Sequence, residues 1–141
     1  SVLALQSRVD ISPTSPLNPA DPFSTPFVFH NVGYLPIYAV NFFCDLNDIQ
    51  YEKNVFLRHN ESTQEYTIRL IRPAEKVTAW CQFPIHITPN RMLSADITIN
   101  ARFRPLNLWE VREFFGFTTA TDRDGNLRWN HRAVSENETS N

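Results

Sequence analysis

Ala95-Asp96-Ile97-Thr98-Ile99-Asn100-Ala101-Arg102-Phe103 alternates apolar and polar residues without a break. Successive side chains of a β-strand point to opposite faces. Ala95, Ile97, Ile99, Ala101 and Phe103 therefore share one face, and Asp96, Thr98, Asn100 and Arg102 the other. The same period recurs upstream in Lys76–Phe83. There Val77, Ala79, Cys81 and Phe83 oppose Thr78, Trp80 and Gln82. It recurs again in Ile37–Leu46, with Tyr38, Val40, Phe42, Cys44 and Leu46 on one side and Ala39, Asn41, Phe43 and Asp45 on the other. Shorter strand candidates are Pro26–Asn31, ended at Val32-Gly33, then Val55–Leu57 and Tyr66–Ile71.

Downstream, Phe114–Thr119 and Leu127–His131 read as a hairpin about Asp122-Arg123-Asp124-Gly125-Asn126, whose Asp-Gly and Gly-Asn steps suit positive φ. Leu106–Glu113 is the one helix-compatible stretch, limited to a turn or two after Pro105. About seven to nine short strands, each with one apolar face, predict an all-β sandwich of two sheets. Residues 1–134 form that single domain, and 135–141 are a polar, frayed C-terminal tail. The predicted core is Val40, Phe42, Val77, Ala79, Ile97, Ile99, Phe115 and Phe117.

At 141 residues the chain is long enough to bury a core without metals or a dense disulfide frame. Its 42% hydrophobic and 20% charged residues exclude a disordered segment. A net charge of −2 argues against a nucleic-acid binder, which needs a clustered basic face. Three glycines stand against ten prolines, and GxGxxG, GxxxxGK and GxSxG are all absent. Eleven Phe, four Tyr and three Trp favour strands. No apolar run approaches the roughly 18 residues that a membrane helix needs. The opening Ser-Val-Leu-Ala-Leu-Gln is short and apolar, either the end of a longer apolar segment or simply where the chain starts. Prolines at 13, 16, 19, 22 and 26 suit polyproline II geometry. That segment reads as a PxxP ligand or, since Leu17, Phe23 and Phe27 interleave as if packed, as an extended crossing between sheet edges.

The run Pro16-Leu17-Asn18-Pro19-Ala20-Asp21-Pro22-Phe23-Ser24-Thr25-Pro26-Phe27, followed by Asn31-Val32-Gly33-Tyr34-Leu35-Pro36-Ile37-Tyr38-Ala39-Val40, resembles uncharacterised bacterial proteins with an immunoglobulin-like sandwich. Ala95–Pro105, Phe115-Gly116-Phe117-Thr118-Thr119 and Gly125-Asn126-Leu127-Arg128-Trp129 are similar to the C-terminal half of the same group. The resemblance implies an N-terminal membrane anchor upstream of Ser1 and an extracytoplasmic domain, periplasmic or at the cell surface. It implies no activity. Antibody-type domains match less well, because Ala79 stands where they place a tyrosine and Trp80 adjoins Cys81.

Cys44 and Cys81 both end inward-facing stripes. The oxidising setting that the resemblance implies favours a bridge between them; the alternative is two free buried thiols acting as small hydrophobes. His30, His59, His86 and His131 form no metal-binding pair, so no metal or cofactor is expected. Asp122-Arg123-Asp124 resembles the start of a calcium loop, yet Ala133 occupies the position of the required glutamate, which favours a plain turn. Asp45 with Asp48 and Asp122 with Asp124 read as loop-solvating pairs, and no nucleophile sits in a strained glycine turn, so no catalytic residue is assigned. Trp80, Trp109 and Trp129 are candidate stacking platforms, with Trp80 foremost because Thr78 and Gln82 beside it are polar. Asn60-Glu61-Ser62 and Asn137-Glu138-Thr139 match glycosylation sequons, relevant only in a eukaryotic secretory setting. The expected function is a non-catalytic extracytoplasmic interaction module with a protein partner. The alternative is a carbohydrate-binding module using Trp80.

Overall fold

A computed structural model describes residues 8–14, 16–52, 55–57, 61–83 and 91–139. In chain order the strands are β1 (Val9–Pro13), β2 (Phe27–Asn31), β3 (Ile37–Tyr51), β4 (Val55–Leu57), β5 (Glu61–Ser62), β6 (Tyr66–Ile71), β7 (Lys76–Ala79), β8 (Met92–Pro105), β9 (Val111–Thr121) and β10 (Leu127–Arg132). A short helix, α1, covers Glu136–Thr139. The small sheet has the order β1-β2-β7, and the large sheet runs β10-β9-β8-β3. Along the far edge of β3 lie β6, β5 and β4 in turn. The two sheets pack face to face as an all-β sandwich.

The alternation of β8 does what it predicts: Ile97, Ile99, Ala101 and Phe103 are fully buried between the sheets. Val40, Phe42, Ala79 and Phe117 join them, while Val77 and Phe115 are only partly buried against the core. The long strand β3 departs from the expected phase. Ala39 adopts φ 52°, and the pairing with β8 shifts between Tyr38 and Asn41. This bulge puts Ile37, not Tyr38, into the core. A second shift between Leu46 and Asp48 carries the strand on to Tyr51 and brings Ile49 and Tyr51 inward.

The predicted helical turn in Leu106–Glu113 is a reverse turn instead. Leu106 and Asn107 take φ of 51° and 60°, and the amides of Asn107 and Leu108 donate to the carbonyls of Arg104 and Pro105. So few residues after a proline give a helix too little length, and asparagine tolerates the left-handed region. The proline segment crosses the end of the sandwich, as the interleaved Leu17 and Phe23 imply. The Leu17 amide donates to the Leu127 carbonyl at 2.7 Å, and the Pro19 carbonyl accepts from Met92 at 3.0 Å. Leu17, Phe23 and Phe27 are buried, with Phe23 against Phe83 and Trp129.

Asn31 ties the two sheets at the opposite end. It is fully buried. Its Nδ2 donates to the carbonyls of Leu35 and Ile71, both at 2.9 Å, and its Oδ1 accepts from the Gly33 amide at 3.0 Å. The tail also corrects its expectation as a frayed end, since through Thr139 it folds back onto the large sheet.

Candidate functional site

Cys44 on β3 and Cys81, two residues beyond β7, are joined by a disulfide with Cα atoms 5.8 Å apart. The bridge links the large sheet to the small one. Thr63 holds its β3 end: the Thr63 hydroxyl accepts from the Cys44 amide at 2.9 Å, and its own amide donates to the Cys44 carbonyl at 2.8 Å.

Beside the bridge lies an open groove of about 280 Å³ between β6 and β7. Both strands are sheet edges, with β6 paired only to β3 and β7 only to β2 among the described residues. Phe42 and Ala79 are buried and form its floor. Tyr66 and Ile68 are half-buried, while Thr67, Thr78, Trp80 and Gln82 are exposed along the rim. The Phe42 ring packs between Phe29 and Tyr66, with centroids at 4.7 and 5.5 Å. The alternation read from Lys76–Phe83 survives past the end of β7, so Trp80 and Gln82 face out while Cys81 and Phe83 face in.

Trp80 is 42% exposed, and its Nε1–H donates to the Ser24 carbonyl at 2.9 Å. That bond fixes the plane of the indole before any ligand arrives. A second depression of about 400 Å³, lined by Ser62, Thr63, Gln64, Tyr66, Gln82 and Phe83, shares Tyr66 and Gln82 with the groove. The two therefore form one trough along the β6 edge.

The other aromatic candidates do not join this site. Trp129 is buried near Phe23 and Phe27, which corrects its reading as a platform, and Trp109 is half-buried in the turn before β9. His30 is half-buried on β2, and exposed His131 lies against the Phe117 ring at 4.7 Å. His59, His86 and Asn60 lie outside the described residues, and Asn137 sits on α1. Among the described residues no three His, Cys, Asp or Glu side chains are grouped to hold a metal.

The Asp122 carboxylate is spent on its own hairpin. Oδ1 accepts from the amides of Asp124 and Asn126 at 2.9 Å, Oδ2 accepts from Arg128, and Gly125 takes φ 82°. These bonds, led by that from Arg128, hold its pKa below the usual range. The loop is a hairpin turn closed by the Asp122 side chain. Asp45 accepts from the Ser62 hydroxyl, and Asp48 faces Asp96 across the β3–β8 ladder, so the two do not work as a pair.

The outer face of the large sheet holds a polar cluster that sequence reasoning did not identify. Ser62, Asp45, Thr98, Gly116 and Arg132 stand in one row across five strands. Gly116 makes the row possible, because a Cβ there would lie 2.9 Å from Arg132 Cγ and Nη1. Arg132 therefore lies flat across β9 and reaches β8. Its Nε donates to Asp96 Oδ1, and its Nη2 donates to Asp96 Oδ2 at 3.0 Å, Thr98 Oγ1 at 3.1 Å and Glu138 Oε1 at 2.7 Å. Nη1 donates to Glu138 Oε2 at 3.0 Å.

Thr98, on the polar side of its strand, is only 3% exposed because Arg132 and Glu138 cover it. Arg132 holds the Glu138 carboxyl down at about 2, aided by Thr98 and the Ser135 amide. Two signals point to this cluster. Glycine inside a strand marks a close approach, and Ser135-Glu136-Asn137-Glu138 has the S-x-x-E spacing of a capping box. No protein-family model, curated protein or solved structure matches the chain.

Proposed function

We propose that this chain is a non-catalytic, extracytoplasmic recognition module, an immunoglobulin-like sandwich tethered through a segment upstream of Ser1, that binds a protein partner in the trough between β6 and β7. The observation that carries the reading is the exposed, pre-oriented Trp80 above an apolar floor, set between two strand edges that are unpaired among the described residues. Unpaired edges offer backbone donors and acceptors to an added strand, and alternate pockets beneath them select side chains. An extended apolar segment of the partner suits both features. The Cys44–Cys81 bridge supports an oxidising compartment, since reducing compartments keep thiols free. The resemblance to anchored bacterial sandwich proteins supports the same placement.

A second reading is favoured by one specific observation. The exposed Trp80 ring shares the groove with the polar residues Thr67, Thr78 and Gln82, a flat apolar face among polar neighbours. Such an arrangement suits a saccharide ring. The two readings are separated by screening the parent and Trp80→Ala proteins against displayed extended peptides and a glycan array. Peptides retained by the parent and bound at least tenfold more weakly by the variant are the expected result. Trp80-dependent glycans in place of peptides would establish the second reading. Binding that ignores the substitution would overturn both.

A further inference from the structure

Glu138 is held as a ligand is held. Its two carboxylate oxygens receive donors from Thr98 on β8, Arg132 on β10 and Ser135 in the tail itself. Oε1 accepts from Thr98 Oγ1 and Arg132 Nη2, both at 2.7 Å. Oε2 accepts from Arg132 Nη1 at 3.0 Å and from the Ser135 amide and hydroxyl at 2.7 and 3.1 Å. A guanidinium that meets a carboxylate with two parallel bonds gives both energy and orientation. The seat beneath is built without the tail. Asp96 fixes one fork of Arg132, Asn47 Nδ2 donates to Asp96 Oδ2 at 3.2 Å and to Thr98 Oγ1 at 2.9 Å, and Gly116 supplies the flat floor. Every strand-borne member of the seat therefore keeps its position if residues 135–139 leave.

Beside the carboxylate the tail also walls a polar cleft of about 320 Å³, whose other side is Asp45, Asn47 and Ser62. Thr98, almost fully covered by Arg132 and Glu138, stands at the edge of this cleft. Glu138 thus occupies a site with room beside it for polar residues that flank the carboxylate in a longer segment.

We propose that the Arg132–Thr98 seat is a recognition site for a carboxylate presented by an acidic segment of a protein partner, and that Glu138 is its built-in competitor. The chain's own tail shows what the seat accepts: a glutamate three residues after a serine, with the backbone turning back on itself. Residues 135–139 close the seat in the free molecule. A partner segment binds when it displaces them. This site is on the outer face of the large sheet and is independent of the trough beside Trp80.

The test uses the full chain, as parent and as Glu138→Ala, and a capped synthetic peptide carrying residues 134–139. Nitrogen-15 spectra follow the Thr98 amide and the Arg132 Nε–H during titration. The expected result is saturable shifts at both groups in the variant, with at least tenfold weaker binding by the parent, whose tethered glutamate competes at high effective concentration. The same peptide with glutamine at the position of Glu138 should give no saturable shift. Equal binding by parent and variant, equal binding of the glutamine peptide, or no binding to the variant would overturn the proposal. Glu138→Gln, which preserves side-chain volume, takes the place of the alanine variant if the latter loses its dispersed spectrum. Trp80→Ala leaves these shifts unchanged, which separates this site from the trough.

Discussion

Replacing both Cys44 and Cys81 by alanine removes the disulfide that ties the two sheets together. The bridged residues are 37 apart in sequence. Closing a loop of that size removes chain entropy from the unfolded state worth about 4 kcal/mol. Both sulfurs are buried, so truncation to alanine also leaves small voids that cost about 1 kcal/mol more. With a urea slope of about 2 kcal/mol per molar for a domain of this size, the unfolding midpoint should fall by about 2.5 M. The assay is equilibrium urea unfolding followed by tryptophan emission, in which buried Trp129 reports the core. A fall of less than about 0.5 M would refute the reasoning, because it would mean that the bridge constrains little in either state. The same substitution tests the site. Phe42 lies two residues before Cys44, and Trp80 and Gln82 flank Cys81, so the walls of the trough lose their tie. A Trp80-dependent ligand should bind the variant more weakly under conditions where it remains folded.

Three further outcomes follow from the geometry. Asn31→Ala orphans two buried carbonyls and one amide and should cost about 3 kcal/mol, read as a lowered melting temperature; a change under about 1 kcal/mol would sink the role given to Asn31. Ile97→Asp places an unpaired charge at a fully buried position and should cost about 4 kcal/mol or abolish folding, and a near-parental melting curve would contradict the assigned register. Glu113 faces inward near Arg8 and Asp10. Burial pushes its carboxyl up to about 7, against the lowering effect of Arg8 and with a smaller rise from Asp10. A raised carboxyl favours the folded state while protonated, so stability is highest below about 4.5 and is lost as pH climbs towards about 7. Glu113→Gln should therefore match the parent at pH 4 and exceed it at pH 8 by about 1–2 kcal/mol, a figure reduced for partial solvent screening. Parallel stability profiles across that range would contradict the assignment.

The strands were legible because burial on one face imposes a period of two, and β8 shows it cleanly from Ala95 to Phe103. The inward phase of Cys44 and Cys81 and the exposed side of Trp80 came from the same rule. What it could not show is where the phase changes. Nothing in Tyr38-Ala39-Val40 marks Ala39 as the left-handed residue of a bulge, so an unbroken alternation puts Tyr38 on the core face, where the bulge places Ile37 instead. The turn at Leu106-Asn107 was likewise hidden, since apolar and charged residues there fit a helix as well as a strand end. The Arg132 cluster joins residues from five strands and the tail, contacts that are visible only once the register places Gly116 between Arg132 and Thr98. Thr98 and Asn100 lie on the polar side of β8 yet are buried, because Arg132 reaches over β9 to the first and Arg112 of β9 bonds the second.

If the trough between β6 and β7 is where the molecule meets its partner, a bound ligand perturbs its walls before any other surface. The most direct measurement is a nitrogen-15 chemical-shift map of the labelled protein with a ligand recovered from the peptide screen. The account predicts that the largest shifts fall on Tyr66, Ile68, Ala79, Trp80 and Gln82, together with the Trp80 indole N–H. Shifts concentrated on the outer face of the large sheet or on the Asp122–Asn126 turn, with the Trp80 indole unmoved, would contradict it.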